Sequence, residues 1–112
     1  RVMSHRAIVA GPDPEGLGDA LEAEGLAVER ISGVVSLETL RAAGVDDAEV
    51  LVLTDVGEAS GIPVAKERHP DVRVVVYSRE SLPEFAKGQA DLAVDPALLA
   101  VDVVAEELAA EN

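Results

Sequence analysis

The sequence contains no cysteine among its 112 residues. This absence excludes disulfide bonds, thiolate metal ligands and cysteine nucleophiles, and it is typical of intracellular proteins. Tryptophan is also absent, and Tyr77 and Phe85 are the only aromatic residues. The length is the commonest size of one domain, so we expect a single domain over residues 1–112 with one core layer on each side of a sheet.

Long apolar segments are missing as well. No apolar run approaches the roughly 20 residues that cross a bilayer, and no charged-then-apolar leader opens the chain. We therefore expect a cytoplasmic protein with no membrane partner. Arg1 and Val2 precede Met3, and we interpret these two residues as additions ahead of a natural start.

Positive charge is scarce. Lys and Arg number 9 against 22 Asp and Glu, which gives a formal net charge of -13. The acids are dispersed along the chain, and their mutual repulsion is weak only when salt shortens the Debye length to about 3 Å, near 1 M. The composition therefore predicts a halophilic, acidic protein. It also disfavours a nucleic-acid partner, because there is no basic patch to bind phosphates.

Apolar runs of strand length alternate with helical patterns along the whole chain. The runs lie near residues 6–10, 27–31, 49–54, 72–77 and 91–94. Such alternation predicts β/α units around a parallel sheet. The second run contains Glu29 and Arg30, which suits an edge strand. The first, third and fourth contain the continuously apolar stretches 7–10, 50–53 and 74–76, as expected of strands covered on both faces. We therefore predict a three-layer, five-stranded, flavodoxin-like (Rossmann-like) α/β fold with strand order 2-1-3-4-5.

Helix starts are predicted from proline and capping residues. Asp13–Pro14 and Asp95–Pro96 each suggest an N-cap followed by the first helical residue, for the first and last helices. Ser36 is expected to cap the second helix, and Gly25 to follow the end of the first. Leu98 falls at helical spacing with later apolar residues, so we expect it on the buried face of the last helix.

Polar residues follow four of the predicted strands. They are Asp13 after the first strand, Asp55 after the third, Ser78 after the fourth and Asp95 after the fifth. The carboxyl ends of parallel strands meet at one edge of the sheet, which is where ligands and reacting groups lie in this fold class. These four residues are the candidate ligand or phosphoacceptor site.

This layout resembles the receiver domain of two-component response regulators over nearly the whole chain. Residues 50–55 (VLVLTD) resemble the strand that ends in the phosphoacceptor aspartate, and residues 74–78 (VVVYS) resemble the next strand with its hydroxyl. Residues 88–96 (GQADLAVDP) resemble the segment that leads to a Lys-Pro pair. The resemblance implies a receiver fold, with Asp55 at the acceptor position and Ser78 at the hydroxyl position.

The sequence departs from the receiver pattern where that chemistry needs charge. Gly11 and Pro12 stand where the family has a pair of acids that hold Mg²⁺, and Asp95 replaces the family lysine. Aspartyl phosphorylation depends on the metal and on a cation at the phosphoryl oxygens. We therefore predict a stand-alone pseudo-receiver that is not an enzyme and acts as a regulatory or protein-interaction module. A phosphorylatable receiver using Asp55 is an alternative.

A second alternative is a domain that binds a small ligand, nucleotide or cation at the carboxyl ends of the first and third strands. Asp13, Asp55 and Asp95 would bind Mg²⁺ or K⁺ if they converged. Without a ligand, helix capping explains Asp13 and Asp95, a turn explains Asp55, and a local backbone bond explains Ser78.

Three glycines offer a possible phosphate loop. They are Gly11, Gly16 and Gly18. Glycines let backbone N–H groups approach an anion at a helix start. Their spacing matches neither the dinucleotide fingerprint nor the P-loop.

The receiver resemblance also implies a partner face on the fourth helix, fifth strand and fifth helix. Tyr77, Leu82 and Phe85 lie in or beside that region, so they are candidates for contact with a protein partner or a second copy, although packing in the core explains them equally well.

The chain also resembles short acidic proteins of unassigned function from halophilic archaea, some of them labelled CTP synthetase. That activity requires a glutamine-hydrolysing cysteine and an ATP site, and neither is found in this sequence.

Overall fold

A computed structural model describes residues 5–110; the interpretation of Arg1 and Val2 lies outside this range. Five strands form one sheet in the order β2-β1-β3-β4-β5, and every neighbouring pair is parallel. The predicted fold class and strand order are confirmed. The strands are β1 (Arg6–Ala10), β2 (Ala27–Ile31), β3 (Val50–Leu53), β4 (Arg73–Tyr77) and β5 (Leu92–Val94).

Five helices cover the two faces of the sheet. They are α1 (Leu17–Ala23), α2 (Leu37–Ala42), α3 (Gly61–Arg68), α4 (Glu84–Lys87) and α5 (Val101–Ala110), with short 3₁₀ turns at Val45–Asp47 and Val56–Glu58. Within the described residues, none of these helices has the length and apolarity to cross a bilayer.

Alternate residues of each central strand enter different core layers. Ile8 and Ala10 of β1 pack with α2, α3 and α4 on one face, whereas Ala7 and Val9 pack with α1 and α5 on the other. Because helices cover both faces, all four side chains are buried. This is the physical reason that the central strands are apolar without alternation.

β2 is an edge strand, as predicted. Its Glu29 and Arg30 side chains are exposed. Arg30 lies against α1, where its guanidinium bonds Asp19 at 2.9 Å. A Cβ on Gly18 would come within 1.9 Å of that guanidinium, so Gly18 gives Arg30 the space to pack across the helix.

The predicted starts of the first and last helices are wrong. α1 begins at Leu17 after Gly16, whose φ of 75° breaks the helical conformation, so Asp13–Pro14 forms a turn before the helix. α5 begins at Val101, so Asp95–Pro96 also lies in a turn. Leu98, expected to be buried, sits in that turn and is 80% exposed.

The other predicted helix boundaries are confirmed. Ser36 caps α2, and its hydroxyl accepts a hydrogen bond from the Thr39 backbone N–H at 3.2 Å. Gly25 follows the end of α1 with a φ of 99°, and its N–H donates to the Glu22 carbonyl at 2.9 Å. Such a left-handed residue lets the chain leave the helix while its last carbonyls stay bonded.

Candidate functional site

The loops that follow β1, β3, β4 and β5 meet at the carboxyl edge of the sheet. Asp13 lies after β1, Asp55 after β3, Ser78 after β4 and Asp95 after β5. We call the loops after β1 and β3 (residues 11–18 and 54–58) the β1/β3 end. The segment after β4 with α4 (residues 78–88), together with Asp95, is the β4/β5 end.

The β1/β3 end is held by a close approach of two loops. Gly11 has a φ of 103°, and a Cβ placed on it would lie 2.6 Å from the Thr54 Oγ1 and 3.1 Å from the Asp55 backbone nitrogen. The Thr54 hydroxyl contacts the carbonyl oxygens of Ala10, at 3.1 Å, and of Pro12. Gly11 is therefore required by backbone packing and positive φ.

The Asp13 carboxylate bonds the first turn of α1. Oδ1 accepts from the Leu17 N–H at 2.9 Å, and Oδ2 accepts from the Gly18 N–H at 2.7 Å. Asp13 is therefore not the N-cap that its sequence position predicts, but its side chain bonds the first two backbone N–H groups of α1 from the preceding turn. Both carboxylate oxygens are engaged with donors that a helix start would otherwise offer to an anion.

The backbone N–H groups of the three glycines in the predicted phosphate loop all have partners within the fold. The Gly18 N–H is bonded to Asp13, the Gly11 N–H donates to the Ile31 carbonyl at 3.0 Å, and the Gly16 N–H donates to the Asp13 carbonyl at 3.1 Å. All three glycine donors are used within the fold, and the carboxylates of Asp13 and Glu15 stand beside them. None of the three is left to cradle a phosphate.

Asp55 begins a turn. Its Oδ1 accepts a hydrogen bond from the Gly57 N–H at 2.9 Å, and the residue caps the 3₁₀ turn Val56–Glu58. Glu58 in turn accepts from the Val35 N–H at 2.8 Å and so ties the loop after β2 to the loop after β3. The local interpretation of Asp55 as a turn residue accounts for its visible contacts.

The three carboxylates do not form a metal site. Across residues 5–110, no group of three or more His, Cys, Asp or Glu side chains is placed to hold a metal ion. The alternative in which Asp13, Asp55 and Asp95 together bind a cation therefore gains no support from this arrangement. Each instead bonds a nearby backbone N–H; for Asp95 the donor is Ala97, at 2.8 Å.

Two cavities lie along this edge and share Ser78 and Arg79. The smaller, of about 150 Å³, is lined by Asp13, Thr54 and Tyr77 among others. The larger, of about 350 Å³, belongs to the β4/β5 end and includes Asp95. The structure thus brings Ser78 near Asp13 on one side and near Asp95 on the other, whereas Asp55 lines neither cavity.

Tyr77 ties β4 to the segment that precedes α5. Its hydroxyl donates to the Leu99 carbonyl at 3.0 Å. Burial raises the pKa of the Tyr77 phenol above its usual range, and the carboxylates of Glu15, Asp13 and Asp102 raise it further. The phenol therefore stays protonated and keeps its donor at neutral pH.

Asp91 positions β5 beside β4. Its Oδ2 accepts from the Lys66 ammonium at 2.7 Å and from the Val74 N–H at 2.8 Å. Partial burial favours a higher pKa for the Asp91 carboxyl, but these two donors and the nearby Arg73 hold that pKa below its usual value. The carboxylate therefore stays ionised and joins the start of β5 to β4 and α3.

The proposed partner-face residues divide by burial. Tyr77 and Leu82 are buried and pack in opposite core layers, so neither presents an exposed apolar side chain to a protein partner. Phe85 is 57% exposed. Three further apolar side chains near the start of α5 are exposed, which their sequence pattern does not predict: Leu98 (80%), Leu99 (43%) and Val103 (42%).

Sequence reasoning also missed contacts between distant residues. His5 Nδ1 lies 2.6 Å from Glu49 Oε2 across 44 residues of sequence. Thr54 joins the β1 and β3 loops, although its sequence pattern marks it only as part of a strand. Arg79 lines both cavities, and the only signal for this role in the sequence is its position directly after Ser78.

The fold and this edge define a receiver-like α/β domain whose edge carboxylates bond its own backbone. A family model matches residues 7–108, described as a family of unknown function, DUF7126, and the chain belongs to that family. Comparison with curated proteins gives no match.

Solved structures of response regulators share the fold. An orphan response regulator of H. pylori has a TM-score of 0.74 at 18% identity, over 96% of this chain and 95% of that one. An atypical orphan response regulator, described as having a phosphorylation-independent mechanism, has a TM-score of 0.70 at 18% identity over 94% and 92%. A response regulator from Burkholderia pseudomallei with a phosphorylated aspartic acid has a TM-score of 0.59 at 23% identity over 95% and 72%.

Proposed function

We propose that this protein is a stand-alone pseudo-receiver, a regulatory protein-interaction module that performs neither phosphotransfer nor other catalysis. One observation carries the proposal: Asp13, Asp55 and Asp95 each accept a hydrogen bond from a backbone N–H of their own loop. An oxygen bonded in this way is directed at its own loop and not at a metal ion or a reacting group, and in Asp13 both oxygens are bonded so.

The charges at the edge favour the same conclusion. The β1/β3 end has four acids and no Lys or Arg, and Asp95 stands where the receiver family has its lysine. An incoming phosphoryl group would meet negative charge without the metal pair and cation that normally offset it. The proposal is supported by a solved neighbour of the same fold that is described as an atypical orphan response regulator with a phosphorylation-independent regulatory mechanism.

The interaction surface that we propose is the β5 face, formed by Phe85, Leu98, Leu99 and Val103. These residues lie on α4, on the segment after the edge strand β5, and on α5. In a chain of net charge -13, apolar side chains that remain in water mark the surface most suited to burial against another protein. A homodimer and a different protein partner both fit this surface.

The absence of phosphotransfer is tested by amide NMR in about 2 M KCl, with Mg²⁺ added first and then beryllofluoride, which mimics an aspartyl phosphate. We expect no saturable shifts at Asp55, Ser78 or α4. Clustered shifts at those residues with beryllofluoride would identify a phosphorylatable receiver using Asp55 instead. Shifts with Mg²⁺ alone would identify a cation site.

The β5 face is tested by substitution. Phe85→Ala and Leu98→Ala remove exposed apolar side chains from it, and Val34→Ala is the matched control, because Val34 is 65% exposed on the loop before α2. Sedimentation in about 2 M KCl and quantitative capture with the tagged full chain should show association that the first two variants lose and the control keeps. Equal association of all three variants, or none for the unaltered chain, would contradict the proposal.

The proposed setting is the cytoplasm of a cell with molar internal salt. The net charge of -13 supports it, because only short-range screening lets so many carboxylates share one small surface. The competing function, a ligand or nucleotide site at the β1/β3 end, has less support, since the glycine donors of that loop are already bonded within the fold.

A further inference from the structure

The larger cavity, at the β4/β5 end, has features that the proposed function does not use. Its volume of about 350 Å³ is within the range of small-molecule sites. Ala93 of β5 and Ala90 form part of its lining together with Ser78 and Ser81. These side chains are small, so the space exists because nothing larger fills it.

The lining combines an apolar floor with opposite charges. Val76, Leu82 and Val94 supply aliphatic surface, while Arg79 and Lys87 face the same cavity as Glu80 and Asp95. Aliphatic surface beside convergent polar groups is what a pocket for a small polar ligand requires. The charges of the lining balance, unlike those of the whole chain.

Arg79 is the group most available to a ligand. Among residues 5–110 it has neither an ion pair nor a side-chain hydrogen bond, whereas Lys87 bonds Glu84 at 2.9 Å. A guanidinium binds a carboxylate through two parallel hydrogen bonds. The lining also offers a negative group, Asp95. Its Oδ1 accepts a hydrogen bond from the Ala97 N–H at 2.8 Å, and its second oxygen has no described partner.

We propose that this cavity binds a free aliphatic α-amino acid. The ligand carboxylate bonds Arg79, its ammonium group bonds Asp95 or Glu80, and its side chain packs on Leu82. A zwitterion offers a partner to both the positive and the negative groups of the lining. Because it carries no net charge, the negative net charge of the chain does not repel it. A simple organic anion would leave the carboxylates facing it unpaired.

Amide NMR of the full chain in about 2 M KCl tests the proposal with L-leucine and two analogues. Isocaproate lacks the ammonium group, and isoamylamine lacks the carboxylate. We expect L-leucine to give saturable shifts within residues 78–82 and 90–95, and each analogue to bind at least about tenfold more weakly. The absence of saturable leucine shifts, or equal binding of isocaproate, would overturn the proposal.

Substitutions locate the site. Ala93→Leu fills the cavity and should abolish the leucine shifts, whereas Ala27→Leu, at an exposed alanine on the other edge strand, should keep them. Arg79→Gln should weaken leucine binding at least about tenfold; because Arg79 is exposed, this variant decides the matter if Ala93→Leu fails to fold. Unchanged leucine binding in Arg79→Gln would overturn the proposal.

The ammonium contact has its own test. Glu80→Gln combined with Asp95→Asn keeps hydrogen-bond acceptors but removes both negative charges, so the preference for leucine over isocaproate should fall toward unity. A preference that survives in this double variant would contradict the assigned orientation. The outcome is independent of the β5-face test, since none of these substitutions alters Phe85 or Leu98.

Discussion

The two ends of the carboxyl edge are built on different principles. At the β1/β3 end, Gly11 is pressed against Thr54, and Asp13 bonds two backbone donors. At the β4/β5 end, α4 has only four residues, Arg79 has no described ion pair, and a cavity of about 350 Å³ remains. The first end is closed by its own bonds, and the second is open.

Charge follows the same division. Residues 11–18 and 54–58 contain four acids and no Lys or Arg, whereas residues 78–88 contain two of each sign. The position that carries the chemistry in receivers is therefore the more acidic of the two ends here, and its carboxylates are bonded to its own backbone. The cavity that we propose as a ligand site lies beside this position, at the β4/β5 end. Polar groups at the usual site of a fold can thus serve its structure instead of its chemistry.

The largest effect should come from removing salt. Transfer from about 2 M KCl to less than about 0.5 M should loosen or unfold the domain, because carboxylate repulsion is no longer screened. Amide hydrogen exchange during the transfer should show loss of protection first at the β1/β3 end and later across residues 78–88. Uniform protection of the amides in dilute buffer would contradict the conclusion that carboxylate repulsion acts more strongly at the β1/β3 end than across residues 78–88.

Gly11→Ala should produce the next largest effect. The substitution places a Cβ 2.6 Å from the Thr54 Oγ1 at a φ of 103°, and we expect a loss of about 2–4 kcal/mol in the free energy of unfolding. Urea denaturation in high salt measures it.

The matched control for Gly11 is Gly88→Ala at the open end. Gly88 has a φ of -77°, and a Cβ added to it would meet no atom within 4 Å, so alanine should be neutral or stabilise by up to about 1 kcal/mol. If both substitutions cost the same, the β1/β3 end is not closed by packing.

The sheet could be predicted from sequence because its signals are local and redundant. Continuous apolar runs in β1, β3 and β4 require cover on both faces, and Glu29 with Arg30 marks β2 as an edge. The helix starts could not be predicted equally well. Asp13–Pro14 and Asp95–Pro96 have the residues of a helix start, but turns also favour these residues, and the conformation of Gly16 decided the first case.

The common edge of the four candidate residues could be predicted, but the contacts of their side chains could not. The order of the strands placed Asp13, Asp55, Ser78 and Asp95 at one edge without any distance information. Whether carboxylates point toward each other or toward their own backbone depends on side-chain rotamers and loop geometry, which a single sequence does not encode in a readable pattern. The exposure of Leu98 could not be predicted for the same reason.

Removal of the Asp13 carboxylate should sharpen the contrast. Asp13→Ala leaves the N–H groups of Leu17 and Gly18 without an acceptor, so we expect a loss of about 1–2 kcal/mol. Asp95→Ala removes one bond in a turn, to Ala97, and should cost about 0.5 kcal/mol. Urea denaturation measures the free energy of unfolding of both variants. Asp13→Asn keeps one acceptor, so its loss of free energy should lie between the losses of Asp95→Ala and Asp13→Ala. A larger loss of unfolding free energy for Asp95→Ala than for Asp13→Ala would contradict the conclusion that the β1/β3 end is closed by its own bonds.

The last contrast concerns Tyr77, which lines the smaller cavity between the two ends. Tyr77→Phe removes the hydrogen bond to the Leu99 carbonyl and should cost about 0.5–1.5 kcal/mol at neutral pH. Burial, followed by nearby carboxylates, raises the pKa of the folded phenol. Its contribution is therefore complete below the unfolded value of about 10 and is lost as pH rises through the folded pKa.

The pH dependence separates this contribution from simple packing. The difference in unfolding free energy between the unaltered chain and Tyr77→Phe should be constant up to about pH 10 and shrink above it, since only the unaltered chain has a phenol to ionise at that position. Urea denaturation across an alkaline series measures the difference, and the lysines and arginines titrate alike in both chains. A difference that stays constant through the alkaline range would mean that the phenol contributes by its shape alone, and that the β4 end is joined to α5 without the help of its hydroxyl.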